Sequence, residues 1–465
     1  MTMTNEKSQR AEEDGVTESK RLSRRRFLGS AAAGSLAVAG LGVLAPKARS
    51  GPGDGVGERL VPPGKVSIQH FSIRDAITRR SIANSKANGL TPTRGYLGGP
   101  NFPEDPTDLG PLVDLPGGFE EVFAFLAGLG FRGFEFFQFT QNVNELGRQP
   151  TIAEVRSYLD GAGLVSTGTH TAGINTLYDT VTGGLSASGQ TQVSIAQTLG
   201  HTMMGTAGDP TSLATLGDRV NANGTVTPGW TEMARRANVV GGILAGLGLR
   251  WYWHTEQNGW QFFNDPAHPE LSRTHRIDWW TANTDPSLVL FEPDIFHSYS
   301  GRARFPDPVD GSKWDAFGFW KANAHRLVGW HVKDGTRIVP PPTPTPANPA
   351  PNPFTQLIAR PGFPLGATDA LYTGEGTIAK GYPFDSDPAV VGFKRIFDDV
   401  GNKGAKWSIL ETDSGIGNAA DPGRSLRHAK LGVQYLLGLR AGPSTHASQG
   451  AEDETVFESD LDLAG

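Results

Sequence analysis

Phe291-Glu-Pro-Asp-Ile-Phe-His297, Trp330-His-Val-Lys-Asp-Gly-Thr-Arg337 and Ile409-Leu-Glu-Thr-Asp413 decide how this chain is read. Each follows or closes an apolar, strand-like run and carries side chains that ligate metals. Asp294, His331 and Glu411 are hard oxygen and imidazole donors, the set a divalent cation takes. Three such donors at the ends of three successive strands predict a site on one rim of an α/β barrel.

The rest of the chain fits that frame. Strand-like runs fall at 66–71, 131–137, 164–170, 201–206, 249–254, 288–295, 327–332 and 407–410, with helical patterns between them. Thr151-Ile-Ala-Glu154 has the form of a capping box, and Gly130 reads as a helix stop. Such βα units imply parallel pairing, and this number of them favours a closed (β/α)8 TIM barrel over an open sheet. An open doubly wound sheet would show a Gly-rich phosphate loop after the first strand, which here ends in Phe71-Ser-Ile-Arg74. Long βα-loop insertions are expected at about 72–116 and 338–383. The Pro-rich run from Val339 to Phe354 excludes helix or inner strand there. The barrel is expected over residues 65–440, after a linker at 51–64 and before an acidic, disordered tail at 441–465.

Composition narrows the chemistry. The chain has 465 residues, 37 % of them hydrophobic, enough for a large globular core. A formal net charge of −6 gives no reason to expect a nucleic-acid partner. With Cys 0 there is no disulfide, no thiolate site and no Cys nucleophile, so a metal must be held by His and carboxylates.

Ser23-Arg-Arg-Arg-Phe-Leu-Gly29 resembles a twin-arginine export signal. An Ala/Gly-rich apolar stretch follows to about Ala45, and Ala48-Arg-Ser50 offers a small-x-small cleavage site before Gly51. The alternative is a transmembrane anchor, for which this stretch is only weakly hydrophobic. Residues 1–50 are therefore expected to be an export segment read by the twin-arginine translocation machinery. A periplasmic or extracellular location without a stable membrane anchor follows.

On a barrel, side chains at the C-terminal strand ends converge on one pocket. The candidates are Glu135, His170, His254 with Glu256, Asp294 with His297, His331, and Glu411 with Asp413. A lone His at a strand end is more often a hydrogen-bonded structural residue than a ligand. The joint pattern is what points to a cation, because unpaired buried charges are strongly unfavourable.

With these residues in view, the chain over about 65–440 resembles the xylose isomerase-like sugar phosphate isomerases and epimerases, metal-dependent TIM barrels. Asp294 and His297 look like the metal Asp and substrate His of ketose 3-epimerases. His331, Asp334 and Arg337 look like their metal His and substrate Arg. Trp330-His-Val-Lys-Asp334 resembles bacterial members, Glu411 the last-strand Glu, and Tyr372-Thr-Gly-Glu-Gly-Thr-Ile378 the segment before the final helix. The resemblance implies one divalent ion (Mn, Mg, Co or Zn) on Asp294, His331 and Glu411. The chain departs from the pattern at Trp253-His-Thr-Glu256, where relatives carry Tyr-His-Asn-His or a Glu. Glu256 or His254 is the fourth ligand, with Glu256 preferred because a carboxylate can take a proton.

The implied activity is proton abstraction next to a sugar carbonyl, through a metal-stabilised enediolate, by Glu256 and Glu411. His297 and Arg337 would orient hydroxyls, and His170 would be a further substrate contact. Lys333 would either touch substrate or neutralise Asp334. A lyase or dehydratase on 3-keto glycosides or inososes would use the same machinery. A non-catalytic sugar-binding barrel would stack sugars on Trp251, Trp253, Trp260, Trp279, Trp280 and Trp330, although most of these fit a barrel wall. A metal hydrolase resembling the superfamily's endonucleases would need more ligands and a basic groove. The expected partner is a small-molecule sugar or glycoside, and assembly into a homo-oligomer is left open.

Overall fold

The computed structural model describes residues 59–90, 115–137, 144–333, 393–412, 417 and 422–439. Residues 1–50, read above as an expected export segment, and Asp334, Arg337, the 338–383 insertion, the 372–378 segment, Asp413 and the acidic tail lie outside them. No helix of the described residues is long and apolar enough to cross a membrane.

The expected strands are present as β1 (Val66–Gln69), β2 (Gly133–Phe136), β3 (Val165–Thr169) and β4 (Met204–Thr206), followed by β5 (Trp251–Thr255), β6 (Val289–Pro293), β7 (Gly329–Val332) and β8 (Trp407–Leu410). They form two parallel sheets, ordered β3-β2-β1-β8-β7 and β4-β5-β6. Both seams are stitched. Parallel bridges Phe291↔Leu327 and Asp294↔His331 join β6 to β7, where the Val328 N–H donates to the Phe291 carbonyl at 3.0 Å. Just beyond β3, an antiparallel bridge links Thr171 to Thr206 of β4, and the Ala172 N–H donates to the Gly205 carbonyl at 2.7 Å. The strands thus follow one another around a ring in chain order, the arrangement of a (β/α)8 TIM barrel.

Local chemistry accounts for the helices between them. Thr151 accepts from the Glu154 N–H while the Glu154 carboxylate accepts from the Thr151 N–H, a complete capping box at the head of helix Ile152–Ala162. Helix Gly118–Leu129 ends at Gly130, whose φ of 106° is left-handed, as a glycine there permits. Helix Trp230–Gly246 packs with helix Arg276–Asn283 against β5 through buried Trp230, Trp251, Trp253 and Trp280. Trp280 has ring centroids of Trp230 and Trp253 at 5.8 Å and of Trp251 at 6.5 Å.

Two elements depart from expectation. Part of the 72–116 insertion is a helix, Arg74–Ala87. Its buried face is largely polar, so no apolar stripe announces it. Asp75 accepts from the Gly417 N–H at 3.0 Å and the Ser425 hydroxyl at 2.9 Å, and Arg79 donates to the Pro116 carbonyl at 3.2 Å. A second helix, Ile295–Arg304, starts directly at the end of β6.

Strand alternation sorts the side chains into two surfaces. Trp251, Trp253, Val289, Phe291, Trp330 and Val332 face the helices. Met203, Tyr252, Leu290, Val328 and Ile409 form a separate apolar cluster that floors the barrel interior. Two residues beyond Tyr252, Leu290, Gly329 and Ile409 along their strands stand His254, Glu292, His331 and Glu411. Space beneath His331 is tight at Gly329, where a Cβ would come within 3.0 Å of the Ile409 side chain and 3.2 Å of the Glu292 carboxylate.

Candidate metal centre

Four strand ends supply the outer part of the site. The donor atoms of His254, Asp294, His331 and Glu411 lie within 4.8 Å of one another, and all four residues are buried. Asp294 is fixed by its backbone position, as the N-cap of helix Ile295–Arg304. Its Oδ1 accepts the His297 N–H at 2.8 Å, so the Asp-x-x-His spacing is N-cap to third helical residue. This leaves Oδ2 directed at the cluster. His297 stands at the mouth, with Nε2 3.9 Å from Asp294 Oδ2.

A second group lies deeper and shares two residues with the first. His170, His254, Glu292 and His331 also bring donor atoms within 4.8 Å of one another. His170 Nε2 is 2.8 Å from Glu292 Oε2 and 3.1 Å from Glu135 Oε2. His331 faces both layers. Its Nδ1 is 2.7 Å from Glu411, and its Nε2 is 2.8 Å from Glu135 and 3.2 Å from Glu292. The Tyr252 hydroxyl donates to Glu135 at 2.9 Å. With Nδ1 given to a cation, the His331 Nε2–H points at a carboxylate, the contact that fixes the tautomer of a metal-bound histidine.

The electrostatics follow from this crowding. Burial alone pushes the His331 imidazole down, but Glu411, Glu292 and Glu135 outweigh it and hold the group well above its usual range. Burial is likewise outweighed at His170, where Glu135 and Glu292 lift the pKa to about 9. His254 goes the other way: burial, then the positive His331 and His170, hold it well below its usual value. Burial raises the Glu411 carboxyl, yet Lys333 and His331 hold it well below the carboxylate range. Glu292 is raised by burial and by Glu135. Two of these imidazoles thus hold protons against the carboxylates, and His254 stays neutral.

This donor set suits a divalent cation. Two imidazoles and two carboxylates are the mixture taken by zinc, manganese or cobalt, with magnesium favoured less by nitrogen donors. His254 adds an independent indication: its Nδ1 is buried, has no hydrogen-bond partner among the described residues, and lies 3.4 Å from Glu292 Oε2.

The structure therefore brings Asp294, His331, Glu411 and His254 together, with His170 one layer deeper. Glu256, the preferred fourth ligand from sequence, belongs to neither group; it follows the last residue of β5, partly exposed, while His254 points inward from within the strand. Lys333 pairs with Asp294 at 2.8 Å and Glu411 at 2.7 Å, inside the cluster. Glu292 was missed altogether. The signal for it was present, since residues two apart on a strand share a face and Glu292 precedes Asp294 by two. The buried tryptophans Trp251, Trp253, Trp260, Trp280 and Trp330 are wall residues, each at most 2 % exposed, with no free face for a sugar ring.

No protein-family model matches the chain, and no curated protein matches it. Among solved structures, the chain is similar to a sugar phosphate isomerase/epimerase from Parabacteroides distasonis, at 16 % identity over 85 % of this chain and 98 % of that one, with a TM-score of 0.41. It is similar to a xylose isomerase domain containing protein from Salmonella typhimurium, at 10 % identity over 81 % of this chain and 98 % of that one, with a TM-score of 0.42. A third is a probable 3-DHS dehydratase from Bacillus anthracis, at 11 % identity over 79 % of this chain and 97 % of that one, with a TM-score of 0.41. At these scores the reading of the site rests on this chain's own geometry.

Proposed function

We propose that the chain is a divalent-metal-dependent sugar isomerase whose first step is removal of a proton next to a carbonyl. The observation that carries this reading is the convergence of His254, Asp294, His331 and Glu411 at the end of the barrel lumen. When bound there, a divalent ion would polarise the substrate carbonyl and stabilise negative charge as the proton leaves. Glu411 would take the proton. Among the cluster's carboxylates it alone retains exposure, 8 % against 0 % for Glu135, Glu292 and Asp294. Lys333 and His331 keep it ionised at neutral pH, the form in which a carboxylate can accept a proton. His297 at the mouth would orient a hydroxyl, and Arg337 is proposed as its partner. Glu135 and Glu292 would hold His331 and His170 in place.

Inversion at a single carbon needs a proton donor on each face of the substrate. In the described part of the outer group, Glu411 is the one carboxylate that is not fully buried, at 8 % exposure. One base can return the proton to the neighbouring carbon, which is isomerisation, so this is preferred over epimerisation. The position of Glu256 outside the cluster also favours a second reading: loss of a leaving group after the same first step, as in a lyase on a 3-keto glycoside or inosose. Export through the twin-arginine pathway and a substrate met outside the cytoplasm belong to the same proposal.

The test is incubation of metal-loaded protein with aldoses, ketoses, inososes and 3-keto glycosides in deuterated water. Deuterium entering carbon, with a change of carbonyl position, supports the isomerase. Release of water or an aglycone supports the lyase. Exchange by Glu411→Gln at the wild-type rate would remove Glu411 from the mechanism.

A further inference from the structure

Lys333 stands inside the ligand set. Its side chain is buried, with Nζ 2.8 Å from Asp294 Oδ2 and 2.7 Å from Glu411 Oε2, and His297 Nε2 lies 3.3 Å away. Asp294 and Glu411 supply both carboxylates of the outer group. A metal held by a carboxylate sits about 2.0–2.2 Å from its oxygen. The ammonium already engages one oxygen of each carboxylate at ion-pair distance. A metal ion on the same oxygens would put two positive charges a few ångströms apart in an enclosed site, where solvent and salt screen them little. Lysine sits on a flexible four-carbon stem, so its head group can leave while its backbone stays put. Lys333 directly follows β7, at the mouth of the lumen.

We propose that Lys333 is the resident cation of the Asp294–Glu411 pair, and that a divalent ion enters the site by displacing its ammonium. The inference rests on the reading of the outer group as the metal site. It gives the two carboxylates a positive partner in both states. It also makes Lys333 the residue that sets metal affinity: an ion must bind strongly enough to replace an ion pair already formed between buried groups.

Calorimetric titration of the full chain with manganese chloride tests this, comparing wild type with Lys333→Met and with Lys333→Gln, which keeps a hydrogen-bonding head without the charge. Both variants are expected to bind manganese about tenfold or more tighter, because no ammonium has to be displaced. Wild type binding manganese, with variants equal or weaker, overturns the role of Lys333 and leaves the metal site standing. No binding by any of the three overturns the metal site and this inference with it. Binding by the variants alone supports displacement. The unaltered protein gives a second readout. Reductive methylation of Lys333, followed by mass spectrometry, is expected to be faster with saturating manganese than with chelator; an equal or slower rate contradicts the displacement.

Discussion

His331 is the residue on which the site turns. One ring nitrogen meets Glu411 and the other meets Glu135 and Glu292, so a single imidazole ties the outer donors to the deeper ones. Its neighbours hold it protonated without a metal, and they do the same for His170, whose pKa rises from 6.5 to about 9. A folded-state pKa above the unfolded value means that the folded protein binds more protons between the two. The stabilisation is then fully present below the unfolded value and is lost as pH rises through the folded one. Metal-free protein is therefore expected to lose melting temperature as pH climbs from 6.5 to about 9, in the window set by His170. Thermal unfolding in chelator across that range checks this; a flat or rising profile contradicts it. Bound metal should reverse the trend, because His331 must give up a proton to ligate and higher pH helps it do so.

At the scale of elements, strand β5 shows how one short run serves two environments. Trp251 and Trp253 face the helices, while Tyr252 and His254 face the lumen. Trp280, on helix Arg276–Asn283, closes the helical side and is fully buried. Trp280→Ala is expected to lower stability by about 3–5 kcal/mol, the range for large-to-small changes in a packed core. Manganese affinity of the variant, measured while it remains folded, should stay at the wild-type value, because Trp280 lies on the opposite side of the strand from His254. A loss of affinity matching the loss of stability would contradict that separation. The same alternation explains what the sequence made legible. Strand runs ending in Asp294, His331 and Glu411 pointed to one rim, and the structure brings these three residues together there. Taken one step further, period-two spacing puts Glu292 with Asp294 and Lys333 with His331 on the lumen face. Alternation does not separate His254 from Glu256, which are two apart; the strand end does, because β5 stops at Thr255 and Glu256 lies past it, partly exposed. Helix Arg74–Ala87 is not legible, because Asp75, Arg79 and Asn84 share its docking with Ala76 and Ile77, and no continuous apolar stripe marks it.

At the largest scale, the described strands from β1 to β8 form a ring of parallel strands with an apolar floor and a charged layer above it. Met203, Tyr252, Leu290, Val328 and Ile409 fill the interior below, so the polar cluster cannot sink further and solvent cannot reach it from beneath. The carboxylates and imidazoles are therefore held at the C-terminal ends of the strands, where loops rather than strands decide what enters. Their crowding is unfavourable unless positive charge is supplied. Two sources would supply it: protons with Lys333, as the structure has it, or the divalent cation proposed above. That choice is the central claim of the account, and anomalous diffraction tests it most directly. Crystals of the full chain grown with manganese should show an anomalous peak bounded by His254, Asp294, His331 and Glu411, with the Lys333 head group moved off Asp294 and Glu411. Manganese found only on the protein surface, with Lys333 still paired to both carboxylates, would contradict it.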